Sequence, residues 1–123
     1  MDDDRALLEA AARAAGYAVV GWDGACADCP IVEGDRLGSG HKVRWYWMPL
    51  HDDGDALRLA HALNFSVAFY VDHTEVIDTI RKQSWIEPDT TLEAARRAIV
   101  RAAAFLAAAG STGAGGGADA PPL

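Results

Sequence analysis

The sequence predicts an α+β domain: one antiparallel four-stranded sheet with helices packed on it, in the order α-β-β-α-β-β-α. Three observations carry that expectation. Apolar residues recur at helical spacing in three stretches, near residues 7–15, 50–63 and 92–106. Residues 43–48 and 65–71 put their largest apolar side chains at every second position, as strands with two different faces do. Glycine, proline or asparagine separates the stretches. A chain of 123 residues, 50% hydrophobic and 24% charged, suffices for one folded domain.

The elements follow in order. Asp2, Asp3 and Asp4 put carboxylates where a helix N-terminus favours negative charge, and Leu7, Leu8, Ala11, Ala12 and Ala15 form an apolar stripe that ends at Gly16. Tyr17, Val19, Val20 and Trp22 suit a strand. Residues 23–40 are dense in Gly, Asp, Cys and Pro and read as one long variable loop, a feature that marks function or disorder in a compact domain. Val43, Trp45 and Trp47 then alternate with Arg44, Tyr46 and Met48 until Pro49 ends the strand.

Residues 50–64 turn helical. Asp52, Asp53 and Asp55 serve the first turn, Leu57, Ala60 and Leu63, flanked by Ala56 and Leu59, supply a buried stripe, and Asn64 is suited to a left-handed stop. Phe65, Val67, Phe69 and Val71 make the next strand, Asp72 and His73 the turn, and residues 74–80 its hairpin partner. Thr90 and Glu93 form a capping box ahead of a third helix with Leu92, Ala95, Ile99, Ala103 and Leu106 inward and Arg96, Arg97 and Arg101 outward. The single domain is thus expected over residues 1–109, and the Gly/Ala/Pro-rich residues 110–123 as a disordered tail.

Charge narrows the function. The net charge is −7, and residues 1–55 hold eleven acids against five bases, so direct binding of nucleic acid or an anionic membrane by bulk attraction is not expected. The acids Asp23, Asp28, Glu33, Asp35, Asp52, Asp53 and Asp55 are the candidate surface for a protein partner. Helix-start chemistry accounts for the last three without one. Cys26 and Cys29 form a lone C-x-x-C, and His41, His51, His61 and His73 stand at irregular spacings from it, so no metal site is expected. No nucleophile, base and orienting group come together, so neither catalysis nor a cofactor is expected. An acidic N-terminus and the lack of a long apolar run point to a cytoplasmic protein, in which the cysteines are reduced or metal-bound rather than in a structural disulfide.

Residues 47–60, WMPLHDDGDALRLA, resemble the W-x-P-L-x-D-D-G-D-A-L-R-L-A signature of small uncharacterised phage and prophage proteins. Residues 94–104 are similar to the A-x-R-R-A-I-V-R-A-A-A helix that closes those proteins, and residues 7–17 look like their opening helix. The resemblance implies a phage ABA sandwich-like domain, in which helices lie either side of an antiparallel sheet. It carries no catalytic residue. It implies an accessory protein in a bacterial host cell that works by binding a host or phage protein, including inhibition of a host defence in an anti-CRISPR-like way or by acidic mimicry. A homo-oligomeric structural protein is the alternative, and a small zinc-binding protein a lesser one.

Overall fold

The computed structural model describes residues 2–24, 29–36 and 38–112. Helix α1 (Asp2–Ala15) leads into strands β1 (Ala18–Asp23), β2 (Cys29–Gly34) and β3 (Val43–Tyr46). Helix α2 (Asp53–Ala62) is followed by β4 (Phe65–Phe69), β5 (Thr74–Asp78) and β6 (Gln83–Glu87), and α3 (Leu92–Thr112) closes the described chain. The α+β class holds, but the strands do not form one four-stranded sheet. They form two antiparallel sheets of three, β1-β2-β3 and β4-β5-β6.

Both additional strands have weak sequence signals, for identifiable reasons. β2 lies inside the segment expected to be loop and contains Pro30, which lacks the N–H a ladder needs. The defect falls at the strand's beginning, where the Pro30 carbonyl still accepts the Trp47 N–H at 3.0 Å. β6 sends only Trp85 of its five residues into the core region, so no period-two pattern shows. Its hairpin turn is closed by Lys82, which adopts φ 61° and donates its N–H to Asp78 O at 2.9 Å. Lysine is not a residue that announces a left-handed position.

One contiguous core joins the buried face of each sheet to the helices, with Val32 from the first sheet and Val76 from the second in the same cluster. Its helical part is rich in alanine. Ala11 and Ala12 of α1 and Ala98, Ala102 and Ala103 of α3 are fully buried, and side chains this small let the two helices pack closely. The three arginines of α3 also tie that helix to other elements. Arg96 reaches Asp53 and the Leu50 carbonyl, Arg97 reaches Asp4, and Arg101 reaches Glu87.

Several local expectations shift, Leu92 among them, expected inward and 58% exposed. The cap of α3 is Thr91, whose hydroxyl accepts the Ala94 N–H at 3.1 Å, one residue beyond the expected Thr90. On α2 the buried residues are Asp55, Ala56, Leu59 and Ala60, whereas Leu57 is 68% exposed. Gly16 and Asn64 adopt the positive φ expected of helix stops. α3 runs to Thr112, past the expected domain end at 109, and residues 113–123 of the tail lie outside the described residues.

Candidate functional site

The six candidate acids among the described residues do not gather on one surface. Asp52 is the N-cap of α2, its carboxylate accepting the Asp55 N–H at 2.8 Å. Asp53, in the first turn, holds Arg96 at 2.6 Å. Asp55 is buried, accepting the Met48 N–H at 2.9 Å and the Arg58 guanidinium at 2.8 Å. All three fasten the beginning of α2 to its surroundings. Residues 47–60 are therefore largely a packing motif, with Trp47, Pro49, Leu50, Leu59 and Ala60 buried around this polar knot.

Asp23 and Glu33 belong to the first sheet. Its register pairs Ala18 with Glu33 and Glu33 with Arg44, and Gly21 with Ile31 and Ile31 with Tyr46. Directly opposed residues share a face, and Asp23, two positions beyond Gly21, joins the same one. Glu33, Arg44, Ile31, Tyr46 and Asp23 thus line one side of the sheet, while Val32 and Trp45 line the side packed on the core. The lined side is accessible. Tyr46 is 52% exposed, Arg44 is exposed, and Ile31, Glu33 and Asp23 are half-buried.

Electrostatics organise this face. Arg44 pairs with Glu33 at 3.2 Å across the strands. The Tyr46 hydroxyl donates to the Asp23 carboxylate, and that hydrogen bond, helped by the carboxylate's charge, raises the phenol above its ordinary value. At the sheet's end Asp35 accepts the N–H groups of Ser39 and Gly40, each at 2.8 Å, and so shapes the turn between β2 and β3. Asp28 lies outside the described residues. The result is an aromatic and aliphatic centre bordered by Asp23 and by the Glu33–Arg44 ion pair.

Nothing among the described residues assembles a metal site: no three of the His, Cys, Asp and Glu side chains come together. Cys29 is buried and disulfide-bonded, against the expectation of a reduced or metal-bound thiol, and Cys26 lies outside the described residues. No helix among the described residues is long and apolar enough to cross a membrane.

The sequence does not point to Ile31 as a surface residue, since it falls in the segment read as loop. A second feature also went unseen. An apolar groove of about 220 Å³ lies between α2, β4 and α3, lined by Leu57, Val67, Phe69, Leu92 and Ile99. Its signal was masked because Leu57 fits the helical stripe as well as the residues that are buried.

No protein-family model, curated protein or solved structure matches the chain.

Proposed function

We propose that this chain is a phage- or prophage-encoded accessory protein that acts by docking on a host or phage protein through the open face of its first sheet. The observation that carries the reading is that face: Tyr46 and Ile31 at the centre, Asp23 and Glu33 beside them, on a chain of net charge −7. A partner with a basic, partly apolar surface is its complement. The phage side of the reading rests on the resemblance of residues 47–60 and 94–104. Inhibition of a host defence system is the action that fits an acidic binding protein of this size, its overall negative charge drawing it to a basic groove of its target.

Capture from a bacterial host lysate by tagged wild-type chain, beside a Tyr46→Ala/Glu33→Lys variant, tests the reading. One dominant protein is expected with the wild type and not with the variant, and its recovery should fall between low and moderate salt. Equal recovery by both chains, or no protein retained by either, overturns the docking face.

A further inference from the structure

We propose that the free edge of β4 pairs with the β4 edge of a second copy of this chain, antiparallel about a two-fold axis, joining two three-stranded sheets into one of six strands. The first ground is how the four sheet edges differ. β1 carries a bulge between Val19 and Gly21, β3 is four residues long and bears the exposed Arg44, and β6 ends in Glu87 followed by Pro88. Bulges, charges, prolines and short strands are the devices that keep an edge from pairing. β4, Phe-Ser-Val-Ala-Phe, has none of them.

The second ground is the direction of its main-chain groups. Tyr70 donates its N–H to His73 O at 2.8 Å, and Thr79 donates its N–H to Asn64 O at 3.3 Å, so these bonds close the β4–β5 ladder at both ends. In an antiparallel ladder bonded pairs alternate. Ser66 and Ala68 therefore turn their N–H and C=O groups toward β5, and Phe65, Val67 and Phe69 turn theirs away from it. A two-fold axis at Val67 sets Val67 against its own copy and Phe65 against Phe69 of the other. Every outward-turned residue then meets another, and each such pair exchanges two hydrogen bonds.

Side chains and charge agree with that register. Phe69 is 56% exposed, and in the pairing it lies over Phe65 and Val67 of the second copy, beside the Leu57 and Leu92 rim of the apolar groove. The sheet is also polar along its strands. Asp72, bonded to His73, stands just past the Phe69 end, whereas Lys82 and Arg81, the latter paired with the buried Asp78, stand in the β5–β6 turn at the Phe65 end. Antiparallel pairing brings the acidic end of each copy to the basic end of the other, and no charged residues oppose one another along β4 itself.

Sedimentation velocity on the full chain, over a wide concentration range, reads the assembly. The expected result is a two-chain mass, an affinity weakened more than tenfold by Phe69→Lys, and no change with Ile86→Lys, a residue 60% exposed on β6. Amide exchange of the wild type gives a readout independent of any variant: the Val67 N–H should be protected when concentrated and open on dilution. A one-chain mass at the highest concentration, equal effects of the two lysine variants, or a Val67 amide that exchanges freely within a dimer each overturns the pairing. Phe69→Lys leaves the docking face on the first sheet intact, so capture of a partner by that face succeeds or fails separately.

Discussion

The buried carboxylate of Asp55 accepts the main-chain N–H of Met48 at 2.9 Å, tying the exit of the first sheet to the first turn of α2. The same carboxylate holds Arg58, one turn further along the helix, at 2.8 Å. Removing it strands a partly buried N–H and breaks a charge-assisted bond, so Asp55→Ala should cost about 2–3 kcal/mol in urea unfolding. Arg58 is half exposed, and Arg58→Ala should cost under about 1 kcal/mol. Equal losses for the two would show that the ion pair, and not the Met48 bond, carries the stabilisation.

Gly34 closes β2 beneath the ring of Tyr17. A Cβ built there would stand 2.7 Å from Tyr17 Cδ1, and the ring is held by edge-on contacts with Trp45 and Trp47 at 5.0 and 5.7 Å between centroids. Gly34→Ala should therefore destabilise the chain by about 1–3 kcal/mol, and adding Tyr17→Leu should recover part of that loss. Additive costs in the double variant would count against the clash.

Two phenols make stability fall in alkali. Burial, the largest cause, raises Tyr17, with the Arg58 charge pulling the other way, and the bond to Asp23 raises Tyr46. A group whose folded value lies above its unfolded one binds its proton more tightly in the folded chain. Its contribution is complete below the ordinary value of 10.0 and is lost as pH rises through the folded value. Urea midpoints should hold below that pH and drop above it, and Tyr46→Phe or Tyr17→Phe should each make the drop shallower. Midpoints that stay level through the same range would contradict both assignments.

Much of this architecture is legible in the residues, though unevenly. The start of α2 could be read because cap, dipole and stop signals sit in consecutive positions, from Asp52 to Asn64. β2 and β6 could not. Pro30 suppresses one, and Trp85 as the single inward residue conceals the other, so the two sheets read as one. The helical stripe of α2 was misjudged at Leu57, because helical spacing fixes which residues share a side but not how far the neighbouring strand covers it. Asp52, Asp53 and Asp55 read first as helix-start chemistry, and among the described candidate acids Asp23 and Glu33 share the open sheet face. That face emerges only once β2 lies between β1 and β3, since register alone brings Ile31 beside Tyr46.

The most direct measurement of the docking claim is amide hydrogen exchange of the chain alone and saturated with the protein it captures. Added protection confined to β1, β2 and β3, with β5 and β6 unchanged, is the predicted footprint. Protection elsewhere, with the amides around Ile31 and Tyr46 exchanging as in the free chain, would contradict it.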